Sequence, residues 1–379
     1  MVITSIEALV IRVPGTSRCG GLSAQRGTEH ADDERALETV LARVTADSGA
    51  AGWGESRAFS APQVTGAIIQ SILKPALEGK EFGGSGIEIE TLWNAMYNQM
   101  RLSGQTGGFM LDAMAAVDIA LWDLAGKINN APISALITGG GARPELDTYV
   151  NLLGGESLEQ RMECARSHRD AGCTRFKILH RSSRCELFEQ YDALAEICGS
   201  ENIAVDALWR LDPVKSASVV MELDRRKALW LESPFAPEDP APHAAMMAKC
   251  RTPIALGETY RTHFELAPFF RARAMKIVQP DLGRCGITES LRIARAAERA
   301  GMEIVPHLTA ALGPLLLATL QFAAAVPNCR YTPYSSRMLE TVNAFAVEPV
   351  GFADGRYRVP AGPGLGVDLV EPEVRQLAA

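Results

Sequence analysis

Four carboxylates and one histidine follow one another at nearly even intervals along the second half of the chain. The five residues are Asp206, Glu232, Glu258, Asp281 and His307, and each closes a short apolar run that is typical of a buried strand. The steps between them are all about 25 residues, the length of one strand, one helix and two loops. Such a repeat predicts parallel strands whose carboxyl ends converge on one site.

The apolar runs themselves give the strand positions. Five predicted strands end at the residues named above or one residue after them: Asn202–Ala207, Leu229–Ser233, Pro253–Glu258, Met275–Asp281 and Glu303–His307. Three more, Thr148–Leu153, Arg175–His180 and Cys329–Pro333, bring the number to eight, and helical patterns begin at Ser157 and Arg184. The second part of the chain is therefore predicted to be an α/β barrel.

The first part lacks this alternation. Three predicted strands, Ile3–Val13, Thr39–Ala46 and Ala51–Ser56, are followed by three predicted helices, Ala61–Glu78, Ile87–Met100 and Gly108–Lys127. A length of 379 residues also favours two domains. We predict an α+β domain over residues 1–128 and the barrel over 129–344. The tail 345–379 breaks the pattern again, with Phe345–Pro349 and the turn Ala353-Asp354-Gly355-Arg356, and is expected to return to the first domain and complete it.

Composition excludes several classes of function. The net charge of −7, without a basic block, argues against nucleic-acid binding. No apolar stretch approaches the ~20 residues of a membrane span. The eight cysteines are scattered and form no C-x-x-C pair, as in a protein of the reducing cytoplasm. We expect a cytoplasmic protein without a nucleic-acid or membrane partner.

Three consecutive strands end in carboxylates that are predicted to bind a metal. Asp206, Glu232 and Glu258 offer hard oxygen ligands, which favour Mg²⁺ over zinc, and three such charges would repel one another without a cation. Each acid taken alone also fits a helix N-cap or a surface ion pair. Their recurrence in successive units favours the metal site.

A predicted acid–base pair lies one strand beyond. Asp281 beside His307 would fix the imidazole tautomer and raise its basicity, which makes His307 a candidate general base. The alternatives are a core histidine bonded to a backbone carbonyl and an acid that forms a turn after Pro280.

Lys177 completes the set of candidate catalytic residues. Alternation places residues 175, 177 and 179 on one face of their strand, so Lys177 points inward if Leu179 does. It would then act as a base or as a charge partner for a substrate carboxylate, unless it reaches solvent at the strand end. Together these groups suit abstraction of a proton α to a carboxylate, with Mg²⁺ offsetting the charge of the enediolate.

Several segments resemble the enolase superfamily, in its mandelate racemase/muconate lactonizing enzyme family and mandelate racemase subgroup. The segments are Ala116–Lys127, Trp230–Pro234, Leu256–Thr259, Gln279–Thr288, Val305–His307 and Pro363–Gly366. The resemblance implies a modified TIM barrel, (β/α)₇β, under an α+β capping domain. It also implies one Mg²⁺ per subunit on Asp206, Glu232 and Glu258, the Asp281–His307 dyad as base, and a homo-oligomer, either a dimer or an octamer.

Three positions depart from the family pattern. The usual Lys-x-Lys of the second barrel strand reads either Lys177–Leu179 or Arg175–Lys177, so one lysine is missing. Thr332 stands where the eighth strand often carries a glutamate. Leu208 replaces an asparagine that commonly follows the first metal ligand.

The missing lysine weakens a racemase, which needs a base on each face of the α-carbon. A dehydration needs only His307, which can remove the α-proton and then protonate the departing hydroxyl. We therefore expect a Mg²⁺-dependent dehydratase of a sugar acid or related hydroxy acid, giving a 2-keto-3-deoxy acid. The alternatives are a racemase or epimerase using Lys177 and His307, and a catalytically lapsed homologue that binds a carboxylate.

The substrate is expected to be a small carboxylic acid, but its identity is not readable from these motifs. Candidate contacts come from N-terminal loops and from positions near the predicted strand ends. They are Arg18, Trp53, Arg175, Arg210, Tyr260 and Thr332.

Overall fold

A computed structural model of the chain describes residues 1–17, 35–58, 61–181 and 183–378. The chain begins with an antiparallel sheet in the order β1 (Ile3–Ser17), β2 (Arg35–Ala46) and β3 (Ala51–Ser56). These strands lie where the sequence predicts them, although β1 and β2 extend further. The turn at Gly49, with φ +85°, joins the second and third.

Helices cover one face of this sheet. Helix α1 (Pro62–Ile68) continues through a π-helical turn into α2 (Lys74–Leu77), so the predicted helix is one rod with a bulge. Next come α3 (Gly86–Gln99), which begins at a capping box formed by Ser85 and Glu88, and the buried α4 (Gly108–Ile128). We call β1–β3 with α1–α4 the N-terminal module. A short helix, α5 (Ile133–Thr138), leads from it into the barrel.

Eight parallel strands form a closed barrel in the described part of the chain. Neighbouring strands pair in sequence order, the eighth pairs with the first, and the backbone of Ile304 bridges Cys329 to complete the ring. The strands are β4 (Glu145–Val150), β5 (Phe176–Leu179), β6 (Ile203–Asp206), β7 (Leu231–Glu232), β8 (Ile254–Leu256), β9 (Ile277–Val278), β10 (Glu303–Ile304) and β11 (Thr332–Tyr334). The predicted barrel with a capping domain is confirmed.

A helix follows each of the eight barrel strands. These helices are α6 (Leu158–Asp170), α7 (Arg184–Cys198), α8 (Ala217–Arg226), α9 (Pro240–Met247), α10 (His263–Ala272), α11 (Leu282–Arg299), α12 (Pro314–Ala325) and α13 (Ser336–Phe345). The first seven strand–helix units match the predicted (β/α)₇β pattern. Helix α13 follows the last strand and goes beyond it.

Alternate strand residues fill the barrel axis with large side chains. Tyr149, Trp230 and Tyr331 form the main part of this layer, with the Tyr149 and Trp230 rings 5.1 Å apart in an edge-on arrangement. The layer closes the barrel interior below the polar strand ends. The polar side chains that end β6 and β7 therefore lie above this layer, at the carboxyl-terminal rim.

The tail contacts both parts of the molecule. Helix α13 ends at Phe345, and a hairpin of β12 (Phe352–Ala353) and β13 (Arg356–Arg358) follows around the predicted turn. This hairpin pairs antiparallel with β4. Beyond it, α14 (Glu371–Gln376) packs on the N-terminal module, where Arg375 pairs with Glu7 at 2.8 Å. The domain boundaries 128 and 344 stay a prediction.

Among the described helices, we find none with the length and apolar character needed to cross a membrane.

Candidate active site

The five residues singled out in the sequence come together at the carboxyl-terminal rim of the barrel. Asp206 and Glu232 are the last residues of β6 and β7, and Glu258 follows β8 after Gly257. Asp281 is the N-cap of α11, and its backbone forms a parallel bridge with that of His307 beyond β10. All five side chains are buried.

The predicted metal ligands form a buried acid cluster, defined as Asp206, Glu232 and Glu258. Lys177 lies beside it: its Nζ is 2.7 Å from Oε1 of Glu232 and 3.5 Å from Oδ2 of Asp206. The other oxygen of Glu232 accepts hydrogen bonds from Trp230 Nε1 at 3.0 Å and Gln279 Nε2 at 2.8 Å. Both oxygens of Glu232 therefore have donors.

The burial of these charges side by side changes the pKa values of Asp206 and Lys177. Burial, followed by the charge of Glu232, raises the pKa of Asp206 to about 8. Burial opposes the charge on Lys177, but Glu232 outweighs it and the net pKa of Lys177 is raised. Lys177 is thus a charged partner of Glu232 and Asp206.

The acid cluster fits a divalent cation, with one difference from the predicted ligand set. One ligand atom each from Glu232, Glu258 and His307 lies within 4.8 Å of the others, whereas Asp206 is outside this group. The Lys177 ammonium contacts both Glu232, which belongs to this group, and Asp206, which does not. Buried carboxylate oxygens in excess over ammonium groups are the donors that Mg²⁺ prefers.

His307 lies between the acid cluster and Asp281. Its Nδ1 is 2.9 Å from Oδ2 of Asp281, and its Nε2 is 2.6 Å from Oε2 of Glu258. Asp281 Oδ1 accepts a hydrogen bond from the Gly283 N–H at 2.9 Å, which restrains one oxygen of the carboxylate. The imidazole is thus held in one orientation, as a general base requires.

The same contacts set the protonation of this group. Burial opposes the charged imidazolium, but Glu258 and the Asp281 hydrogen bond outweigh burial and raise the pKa of His307. Burial works to raise the pKa of Glu258, yet His307 lowers it to about 2. Burial also works to raise the pKa of Asp281, but Arg57 and His307 outweigh it and lower that pKa.

Arg57 is a residue at this site that the motifs did not indicate. Its NH1 is 2.7 Å from Oδ2 of Asp281 and 3.1 Å from Nδ1 of His307. It follows β3 of the N-terminal module, 224 residues before Asp281. In the sequence, Arg57 directly follows the predicted strand Ala51–Ser56 of the capping domain. This position was the only indication that it could reach the barrel.

The structure distinguishes the two registers proposed for the second barrel strand. Lys177 reaches the acid cluster, while Arg175 lies at the opposite end of β5, with its guanidinium 4.3 Å from the ring centre of Tyr331. Leu179 pairs with Asp206 at the rim. The arrangement therefore follows the Lys177–Leu179 reading, and Arg175 is not brought to the site.

The other predicted substrate contacts are not gathered at the acid cluster. Tyr260 donates its hydroxyl hydrogen to the Pro237 carbonyl at 2.6 Å. Trp53 is buried in an apolar cluster of the N-terminal module. Thr332 pairs with Thr148 and shares its outward face, because Pro333 pairs with the axis residue Tyr149.

Two predicted contacts remain. Arg210 is exposed in the loop after β6, where its NH1 donates to the Arg181 carbonyl at 3.2 Å. Arg18 lies outside the described residues.

Comparison with known proteins places the chain in a family. Residues 160–373 match the family described as enolase C-terminal domain-like, and residues 28–138 match the mandelate racemase/muconate lactonizing enzyme N-terminal domain. D-galactarolactone cycloisomerase of Agrobacterium fabrum is 31% identical over 87% of this chain and 88% of its own.

Two relatives carry dehydratase names. D-galactonate dehydratase of Verminephrobacter eiseniae is 29% identical over 88% of this chain and 89% of its own. Arabinonate dehydratase of Saccharolobus solfataricus is 30% identical over 89% of each chain. A crystal structure of an enolase superfamily member from Agrobacterium tumefaciens superposes with a TM-score of 0.90 at 29% identity, covering 100% of this chain and 99% of the other. The chain belongs to the mandelate racemase/muconate lactonizing enzyme family of the enolase superfamily.

Proposed function

We propose that the protein is a Mg²⁺-dependent dehydratase of a sugar acid or related hydroxy acid that releases a 2-keto-3-deoxy acid. The observation that carries the proposal is the position of His307, which lies 2.9 Å from its partner Asp281 and 2.6 Å from Glu258 of the acid cluster. The names of two relatives, D-galactonate dehydratase and arabinonate dehydratase, support the substrate class.

His307 serves as both base and acid in this proposal. Its Nε2 removes the proton α to the substrate carboxylate, and the resulting imidazolium is stabilised by the buried Asp281 carboxylate. The same nitrogen then protonates the β-hydroxyl, which leaves as water, and the enol product converts to the 2-keto acid. The chain would hold Mg²⁺ through Asp206, Glu232 and Glu258. The cation supplies positive charge against the enediolate.

The contacts of Lys177 disfavour the racemase alternative. A racemase needs a second base opposite His307, but Lys177 is paired with Glu232 and Asp206 and its pKa is raised. Leu179 occupies the next inward position and has no titratable group. The intact dyad in turn speaks against a lapsed, purely binding homologue.

A second candidate is a cycloisomerase acting on an acid-sugar lactone. One relative, 31% identical, is named D-galactarolactone cycloisomerase. The same α-proton abstraction by His307 would then expel a ring oxygen that stays attached to the product. The product would have the mass of the substrate, whereas a dehydration product is lighter by one water.

The test is a screen of mono- and diacid sugars and their lactones with Mg²⁺, read by mass spectrometry and by semicarbazide detection of keto acids. We expect a water loss from at least one free acid sugar and none with His307→Asn. A keto acid still formed by His307→Asn would contradict the assigned base. Products of unchanged mass would favour the cycloisomerase.

A further inference from the structure

We propose that Arg57 is the positioning residue through which the N-terminal module fixes the Asp281–His307 dyad. The proposal deepens the proposed function, since it concerns how the general base is held. Its NH1 contacts both members of the dyad, at 2.7 Å from Asp281 Oδ2 and 3.1 Å from His307 Nδ1. The Arg57 side chain is only 9% exposed.

The backbone around Arg57 is anchored to the loop that carries Asp281. The Arg57 N–H donates to the Gly283 carbonyl at 2.9 Å, and the Ser56 hydroxyl donates to the same oxygen at 3.4 Å. A Cβ on Gly283 would lie 2.8 Å from the Arg57 nitrogen, so a glycine is needed for this close approach. The guanidinium therefore starts from a fixed backbone position.

A neighbouring residue anchors the same segment to the loop that follows His307. The buried Glu55 carboxylate accepts hydrogen bonds from the N–H groups of Leu312, Gly313 and Leu315 at 2.7–3.1 Å. These groups lie at the start of α12, where a carboxylate is favoured by the helix dipole. The end of β3 thus contacts both loops that carry the dyad, and Arg57 lies between them.

The chemistry of the contact explains what Arg57 would contribute. Asp281 Oδ2 can accept a hydrogen bond from Arg57 and from His307 at once, and Oδ1 accepts from Gly283. A planar guanidinium with several donors restricts the carboxylate more tightly than a single ammonium can. Without it, Asp281 could turn about its side-chain bonds, and the imidazole would lose the orientation that proton abstraction needs.

The test compares Arg57→Met and Arg57→Lys with Glu90→Gln. The control removes another ion pair between the N-terminal module and the barrel, Arg292–Glu90 at 2.7 Å, which does not touch the dyad. For Arg57→Met we expect kcat to fall about 100-fold with KM little changed, as for a misplaced catalytic group. The kcat of Arg57→Lys should lie between those of Arg57→Met and the parent protein, and the kcat of Glu90→Gln should equal that of the parent protein.

A second readout does not depend on activity. The hydrogen bond between His307 Nδ1 and Asp281 should give a low-field proton NMR resonance, assigned by its loss in His307→Asn. We expect Arg57→Met to shift or lose this resonance and Glu90→Gln to keep it. If the parent protein turns over no acid sugar, the proposed function fails, and this resonance alone decides the role of Arg57.

Three results would overturn the positioning role. A raised KM with unchanged kcat in Arg57→Met would mean that the guanidinium holds the substrate instead. An equal loss of kcat in Glu90→Gln would mean that only the docking of the module matters. An unchanged resonance in Arg57→Met would show that the dyad is held without Arg57. If Arg57→Met does not fold, Arg57→Lys is measured by the same criteria.

Discussion

Lys177 brings a buried ammonium group to the edge of the acid cluster. Its contacts with Glu232 and Asp206 make it a charge partner of the carboxylates, although the sequence alone also allowed it to be a base. A buried carboxylate whose partner is removed keeps the desolvation cost without the compensating attraction. Lys177 is therefore expected to matter most for stability when no cation is bound.

Lys177→Met tests this account by chemical denaturation. Without Mg²⁺ we expect the free energy of unfolding to fall by about 3–5 kcal/mol, the usual cost of breaking a buried ion pair from one side. With saturating Mg²⁺ much of this loss should be recovered, because the cation supplies charge to the same carboxylates.

A matched control lies in the N-terminal module. Lys127 also pairs with two carboxylates, Asp123 at 2.9 Å and Asp368 at 2.6 Å, but far from the predicted metal ligands. The loss of unfolding free energy in Lys127→Met should be the same with Mg²⁺ as without it. If Lys177→Met likewise showed no recovery with Mg²⁺, the proposed cation position would be wrong.

At the scale of the elements, the sequence predicted the strands well where one face had to be buried. Short apolar runs between turns marked all eight barrel strands, and the polar residues near the ends of five of these runs identified the rim. Thr332 was assigned to the wrong face because a register difference of one residue reverses a side chain's direction. The pairing of the hairpin β12–β13 with β4 was missed because the two lie about 200 residues apart in the chain, which no local pattern reports.

Arg57 shows a second limit at this scale. Its role depends on a contact between chain segments 224 residues apart, and an arginine that follows a strand most often lies in solvent at the surface. The sequence also did not predict that β3 packs closely against α4, or that the end of β3 packs against the barrel loops. Glycines at positions 52 and 54 of the predicted strand are consistent with such a close approach.

Gly54→Ala tests the packing of β3 on α4. A Cβ at this position would lie 1.9 Å from the Ala116 carbonyl oxygen in the core of the helix, so β3 and α4 would have to separate. Overpacking of this kind costs about 1–3 kcal/mol or more, and we expect a clear drop in the melting temperature. Because β3 leads into Arg57, activity should fall as well.

Gly141→Ala is the matched control for that substitution. A Cβ at Gly141 would meet no atom within 4 Å, and the φ of this residue is outside the left-handed region. Its melting temperature should stay close to that of the parent protein. Equal stability of the two variants would mean that β3 and α4 are not closely packed in solution.

At the scale of the whole molecule, the end of β3 in the N-terminal module contacts the loops at the rim of the barrel. The dyad is held from the barrel side by Gly283 and from the module side by Arg57. We propose that residues 1–128, with the tail, act as a cap over a catalytic barrel at 129–344. The homo-oligomeric state implied by the family stays a prediction.

Mg²⁺ should stabilise the whole fold, because a cation that binds only the folded acid cluster shifts the unfolding equilibrium. At 100 times its dissociation constant, the gain in unfolding free energy is about 2.7 kcal/mol. Thermal unfolding with and without Mg²⁺ measures it, and Glu232→Gln should reduce the gain sharply. A gain of the same size in Glu232→Gln would place the binding site elsewhere.

We propose that His307 removes the α-proton of an acid sugar on the path to water loss. The most direct test of this proposal is mass spectrometry of the reaction in D₂O with Mg²⁺, for the parent protein and His307→Asn. From the parent protein we expect a keto product that has lost one water and carries one solvent deuterium at the β-carbon, and from His307→Asn neither water loss nor α-deuterium incorporation. Water loss that survives in His307→Asn, or α-deuteration by the parent protein without any water loss, would contradict it.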